Sequence, residues 1–271
     1  MRYHVHPAPH DLAHLVRFFW TVESEATGDV PHRLTAETCP NMVFTVQGAF
    51  TEADGGKAPR VHLAGGLRTR ADMVAHGPFR LIGVYLWPWS TKVRFGYSPE
   101  ECIGRFIDLH DLTSELAGLP TTWPDGDDAM KHCLTTVASV LRKGNDTARI
   151  PSAGMQQVVR EMLGVQVERS IDDHARHCGL ARRQFERRFK ECTGFPPALF
   201  QRIARFQRTY RMLEDGTATS LTDIALAGGY FDQSHFIREF KRFSGLNPRD
   251  YFIKVPDKVD NFVRLASTPQ S

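Results

Sequence analysis

The sequence predicts an α+β chain of two domains. A β-rich barrel or sandwich with added helices comes first, followed by an all-α domain of two helix-turn-helix units joined by a long helix. Three observations carry that expectation. A pattern running from Ser170 to Phe200 returns about 50 residues later, from Ser220 onward. Short aromatic and β-branched runs separated by turn residues fill the chain up to Trp87. The charge also divides: residues 1–150 hold 15 Lys+Arg against 17 Asp+Glu, whereas residues 151–271 hold 19 against 14. The basic excess therefore sits with the repeated helices, where a phosphate-binding surface needs it.

In the first domain, taken as residues 1–145, a short helical turn is expected at His10–Ala13 and a buried strand at Leu15–Val22. Further strands are expected at His32–Thr38, Asn41–Gln47, Arg60–Ala64 and Arg70–Ala75, the last closed by Gly77-Pro78. Phe79–Trp87 is the strongest strand of this half. After it, helices are expected at Ser90–Phe95, Glu100–Phe106, Leu112–Gly118 and Asp127–Lys143. The last carries a stripe of Met130, Leu134, Val137 and Leu141, which would cap the barrel or mediate dimerisation. Residues 144–152 read as the linker, and 255–271 as a partly disordered tail.

The second domain, residues 152–254, begins with a helix whose apolar face is Met155, Val158, Val159, Met162 and Leu163. Ile171–His177 and Leu221–Ala227 are short positioning helices, and glycines close both. Ala181–Cys192 and Asp232–Phe243 follow as recognition helices. Phe185 and Phe189 turn inward in the first; Phe236, Ile237, Phe240 and Phe243 form the stripe of the second. Between the units, Ala198–Leu213 is one amphipathic helix with Leu199, Ile203, Phe206, Tyr210 and Leu213 on a single face. Two short helices around a glycine turn, the second basic outside, suit the DNA major groove.

Gly229–Tyr251 combines Gly-aromatic, a polar turn, His-Phe, Arg, Phe-Lys, Gly, Pro and an aromatic. This run, with its earlier copy and the linker stretch Arg205–Leu213, resembles the AraC/XylS family of bacterial transcription regulators over about Ser152–Phe252. The resemblance implies base-facing positions at Arg183, Glu186 and Arg187 in the first unit and at Gln233, Ser234 and Arg238 in the second. Lys190, Lys241 and Arg242 suit phosphate contacts, and Arg182 and His235 complete the expected DNA-binding set. Two departures stand out. Thr209 replaces the usual small Ala, so packing there is expected to be looser. His174 replaces a large aliphatic, so the first unit is expected to be the less stable one.

The first half is similar to the cupin-like sensor domains of that family, on phrases such as Gly83-Val84 before Trp87-Pro88 and Phe95-Gly96 before Pro99. That implies a small-molecule effector of unspecified identity, a possible homodimer through this domain, and RNA polymerase as a partner if the protein is an activator. The alternative is a cupin-like metal-dependent enzyme with an attached DNA-binding module. His4-x-His6 resembles a cupin metal motif, but it precedes every expected strand and has no Glu behind it, so it reads as a disordered terminus. Glu37, His62 and His76 could meet inside the barrel, and Cys39 could be a reactive thiol, although nothing nearby is obviously basic.

No nucleophile elbow, phosphate loop or paired-carboxylate signature occurs, and neither a cofactor nor an enzymatic activity is expected. The 271 residues include five dispersed cysteines and no CxxC pair, which argues for a reducing cytosol and against a zinc site. A DNA-alkylation-repair sensor would need a four-cysteine cluster that this spacing lacks. No leader and no run of about 18 apolar residues is seen, so a cytoplasmic, nucleoid-associated protein is expected, with double-stranded DNA as partner and no membrane.

Overall fold

A computed structural model of the chain describes residues 2–112, 127–143, 147–164, 169–214 and 220–254. The first half is a seven-stranded antiparallel sheet: β1 (Arg2–Pro7), β2 (Val16–Ser24), β3 (Asp29–Leu34), β4 (Asn41–Glu52), β5 (Val61–Ala64), β6 (Ala71–Leu86) and β7 (Phe106–Asp108). The strands follow the path β1-β2-β6-β4-β5-β7, and β3 pairs with β6 off that path.

Gly77-Pro78 does not end a strand, as the sequence suggests; it lies inside the 16-residue β6. The reason is a change of partner along one edge. β3 pairs with residues 71–76 and β2 with residues 79–86. Pro78 has no N–H to donate and sits between the two ladders, where none is missed. Opposite it, β4 shifts register between Gln47 and Ala49. Gly48 there has φ +92°, and a Cβ would lie 2.7 Å from that of Phe79. The two long strands bend together at this point.

The N-terminus is also ordered. β1 pairs with β2 from Arg2↔Glu23 to Pro7↔Phe18, so His4-x-His6 lies on an edge strand rather than in a disordered terminus. Its pairing partner is distant in sequence, which local pattern does not reveal.

Helices α1 (Ser90–Phe95), α2 (Pro99–Cys102), α3 (Leu109–Leu112) and α4 (Asp127–Arg142) complete this half. The helix expected through Phe106 stops at Cys102, because Phe106 begins the strand that pairs with β5. In α4, Val137 and Leu141 are buried within the chain. Arg142 pairs with Asp11 (2.6 Å), and Arg94 donates to the Val140 carbonyl (3.0 Å). The expected helix at Leu112–Gly118 and the tail at 255–271 fall largely or wholly outside the described residues.

The second half contains α5 (Ala153–Leu163), α6 (Ile171–His177), α7 (Arg182–Thr193), α8 (Pro197–Glu214), α9 (Leu221–Ala227), α10 (Gln233–Ser244) and α11 (Pro248–Lys254). The repeat extends to its caps. Ser170 accepts from the Asp173 N–H and Ser220 from the Asp223 N–H, each at 3.1 Å. Gly194 and Gly245, at φ +80° and +83°, end α7 and α10. One hydroxyl turn below each, Thr193 donates to the Phe189 carbonyl and Ser244 to the Phe240 carbonyl.

Thr209 does not loosen the linker helix. It is fully buried, its hydroxyl donates to the Phe206 carbonyl at 2.9 Å, and its methyl fills the space left by Gly228. A Cβ on Gly228 would lie 2.1 Å from Thr209 Cγ2. Gly228→Ala is therefore expected to cost about 1–3 kcal/mol through overpacking. Adding Thr209→Ala should recover most of the loss, as read by urea denaturation of both variants.

Candidate nucleic-acid interface

Each recognition helix is held from below by aromatic packing. In α7, Phe185 and Phe189 are buried, and Phe189 meets Phe200 of α8 edge-on at 5.2 Å. In α10, Phe240 is the hub: Phe206 lies 5.3 Å away, and Phe236 and Tyr251 each 5.6 Å away. With 100° between successive residues, Arg183 and Arg187 stand opposite Phe185 and Phe189. Ser234, Arg238 and Lys241 stand opposite Phe236, Phe240 and Phe243. The two sets correspond in the repeat as Arg183 with Ser234, Arg187 with Arg238, and Lys190 with Lys241.

The structure sorts the expected residues into two groups. Arg183, Arg187, Arg238, Lys241, Arg242 and Ser234 are exposed, and none of these cations has an ion-pair partner among the described residues. Others are engaged. Arg182 bridges Asp172 (3.2 Å) and Glu186 (3.1 Å), which joins α6 to α7. Gln233 accepts from the Thr222 hydroxyl (2.9 Å), leaving its amide N–H groups as donors. His235 lies edge-on to Tyr230. Lys190 pairs with Glu100 of α2 at 2.7 Å, so in this arrangement it faces the first domain.

Two exposed residues were not singled out from sequence. Arg188 is exposed and without an ion-pair partner among the described residues, and its only signal was its place in a basic cluster. Phe231, 87% exposed, immediately precedes the N-cap of α10.

His174 behaves as its position suggests. It is 2% exposed, neither ring nitrogen has a hydrogen-bond partner among the described residues, and Glu161 is 4.0 Å from Nδ1. Burial lowers its pKa, opposed by Glu161. The unfolded imidazole titrates near 6.5, so unfolding takes up a proton below that pH. Stability is full above about pH 6.5 and falls as pH drops toward the lower folded value. His174→Ile, the residue type of the second unit, is expected to stabilise the first unit by about 1 kcal/mol. It should also flatten this acid limb in thermal melts from pH 5 to 8.

In the first domain, Glu37 and His62 line one cavity, whereas His76 lies outside it, bound to Asp29 (2.8 Å) and Thr51 (2.9 Å). Cys39 does have a basic neighbour, contrary to the sequence reading: Arg17 of β2 donates to its sulfur at 3.6 Å. Burial still pushes the thiol up to about 11 against the pull of Arg17, so it stays protonated at neutral pH. Among the described residues, no three His, Cys, Asp or Glu side chains are grouped to hold a metal, and no helix is long and apolar enough to cross a membrane.

The two halves touch along a defined seam. The Ala36 N–H donates to the Phe243 carbonyl at 3.0 Å, and Gln207 of α8 donates to the Ala36 carbonyl at 3.4 Å. Arg160 of α5 lies over Trp87 at 5.0 Å, and Trp87 stacks on Trp89 at 5.1 Å.

Residues 174–253 match the model of a helix-turn-helix domain family, and residues 3–108 match that of DUF6597, a domain of unknown function. The HTH-type transcriptional regulator ArgR of Pseudomonas aeruginosa is 28% identical over 123 residues, 42% of this chain and 37% of that protein. YkgA of Escherichia coli K12, named as an HTH-type transcriptional regulator, is 37% identical over 82 residues, 30% of this chain and 34% of that protein. The matched part thus spans about a third of the length of these curated relatives. The solved structure of ToxT from Vibrio cholerae aligns with 87% of this chain and 98% of its own, at 12% identity and a TM-score of 0.49.

Proposed function

We infer that this chain, whose C-terminal domain belongs to the AraC/XylS family of transcription regulators, binds specific DNA sites with both helix-turn-helix units and is controlled through its N-terminal domain. The observation that carries the reading is the duplicated recognition helix, ended by the same glycine cap in both copies, with the outward cations Arg183, Arg187, Arg238 and Lys241 that no acid pairs with among the described residues. Such groups lower affinity for nothing in the folded chain and gain from phosphates and guanine edges. The 18 residues of α8 span about 27 Å, which fixes the two units at a separation comparable to one DNA turn, about 34 Å. The seam around Ala36 gives the first domain a physical hold on the second unit and the linker helix, and the Lys190–Glu100 pair a hold on the first.

In this reading the protein works in the cytoplasm on the nucleoid, answers a small-molecule effector, and contacts RNA polymerase where it activates. Its first domain is the place for any homodimer contact. The test is capture of genomic promoter fragments by the purified chain, followed by hydroxyl-radical footprinting. Protection of two adjacent major-groove segments on one DNA face is expected. Protection confined to one segment would overturn the two-unit reading, and retention of random duplexes as strongly as promoters would overturn sequence specificity.

A further inference from the structure

The turn of the second helix-turn-helix unit is longer than that of the first by one residue, and that residue is Phe231. The two turns otherwise correspond bond for bond. In the first, the Gly179 N–H donates to the Arg176 carbonyl and the Leu180 N–H to that of Ala175; in the second, Gly229 donates to Leu226 and Tyr230 to Ala225. Both glycines take the left-handed conformation, at φ +64° and +80°. In the first unit the N-cap, Ala181, follows Leu180 directly, and its carbonyl accepts from the Phe185 N–H. In the second the N-cap is Asp232, whose carbonyl accepts from the equivalent Phe236. Phe231 has no counterpart.

The fold does not use this ring. A hydrophobic residue just ahead of an N-cap ordinarily packs on the residue four places into the helix, here Phe236. Tyr230 has that role instead: it is 3% exposed and meets Phe236 edge-on at 5.3 Å. Phe231 points out of the domain and is 87% exposed. Leu226, 59% exposed, stands at the other side of the same turn, and among the described residues these are the two large apolar side chains left exposed. The first unit has Arg176 at the place of Leu226.

The position of Phe231 decides what it meets. A recognition helix reads bases with its N-terminal residues, and Phe231 is one residue ahead of the N-cap of α10. Its neighbours at that end are engaged within the fold: Asp232 Oδ1 accepts from the His235 N–H at 2.6 Å, and Gln233 Oε1 from the Thr222 hydroxyl at 2.9 Å. The ring offers apolar surface and neither a donor nor an acceptor. On the major-groove edges of the bases, the apolar group that matches it is the thymine C5-methyl.

We propose that Phe231 is a specificity-determining residue that reads a thymine methyl in the DNA segment bound by the second unit. This rests on the sequence-specific DNA-binding reading above and adds one base to one half of the site. The first unit lacks the residue, so the requirement is one-sided. It distinguishes the two segments that α7 and α10 contact and helps to fix the direction in which the chain lies on its site.

The experiment uses the full chain and a captured promoter site, with binding followed by fluorescence anisotropy. Each thymine of the protected segments is replaced in turn by deoxyuridine, which removes the methyl alone. One replacement, in one segment only, is expected to weaken binding about fourfold, the factor carried by one buried methyl group. Phe231→Ala should weaken the unmodified site about five- to tenfold and a random duplex less than about twofold, and the deoxyuridine effect at that position should vanish. Urea unfolding of this variant should match that of the parent chain, because the ring is exposed. A scan with no position whose effect depends on Phe231, or equal weakening of specific and random duplexes, would overturn the inference and leave the DNA-binding reading intact. An unchanged affinity in Phe231→Ala would overturn it too and assign the exposed pair of Leu226 and Phe231 to a protein partner. If no duplex were retained selectively, the DNA-binding reading would fail, and this inference with it.

Discussion

Arg202→Ala is expected to destabilise the C-terminal domain by about 3 kcal/mol and to remove specific DNA binding. Arg202 of α8 grips Glu239 of α10 with two hydrogen bonds, Nε to Oε2 at 2.9 Å and Nη2 to Oε1 at 2.5 Å. Glu239 is 7% exposed and lies beside Phe240 on the inward side of α10, so without the guanidinium a carboxylate is left buried and unpaired. The lower end of the usual range applies, because a third of the Arg202 side chain reaches solvent.

The pH dependence separates this cause from simple loss of packing. Burial pushes the Glu239 carboxyl up, but Arg202 pulls it below its ordinary value near 4.5. Its folded pKa is thus depressed: the stabilisation is present above about pH 4.5 and is lost as pH falls through the folded value. Without Arg202, burial dominates and lifts the folded pKa above the unfolded value, so the sign reverses: the variant should lose stability as pH rises above about 4.5 and regain it in acid. Arg202→Met with Glu239→Leu, which removes both charges, should recover most of the stability. A single-variant loss under about 1 kcal/mol in urea unfolding would show that the pair is dispensable.

The helical half was legible in sequence because each of its determinants is local. Ser170 and Ser220, Gly194 and Gly245, and the phenylalanines at helical spacing each fix a neighbourhood of a few residues, and the repeat let one copy check the other. The sheet half was less legible where a residue's role depends on a distant strand. Gly77-Pro78 reads as a stop until β2 and β3 are seen sharing one edge of β6. His4 and His6 look unattached until β1 meets β2. Arg17 is 22 residues from Cys39, and no pattern joins them.

At the interface, periodicity identified which cations point outward, but it could not show that Lys190 faces Glu100 or that Arg182 is spent on Asp172. Thr209 misled for a related reason. Its bulk is accommodated by a missing atom on Gly228, 19 residues away, which the linker pattern alone does not show.

Replacing both Arg187 and Arg238 by Ala is expected to weaken binding to the specific site by about 2–6 kcal/mol, the sum of two base contacts worth about 1–3 kcal/mol each. The two occupy equivalent places on α7 and α10, so their effects should fall on two positions one DNA turn apart, and preference should relax at those base pairs only. Each single variant should show half of this pattern. Arg183→Ala should add a third relaxed position in the first half-site, whereas its counterpart Ser234 lacks the reach of an arginine. Lys241→Ala is the contrast. A lysine at a phosphate weakens specific and random duplexes alike and reduces the slope of log K against log salt by about 0.9. Titrations of a captured promoter site and a random duplex at four salt concentrations measure both effects. If Arg187→Ala and Arg238→Ala lower the two affinities by the same factor, both arginines position the protein on the backbone. Sequence would then be read by other polar side chains of the two helices, such as Arg183, Glu186, Gln233 or Ser234.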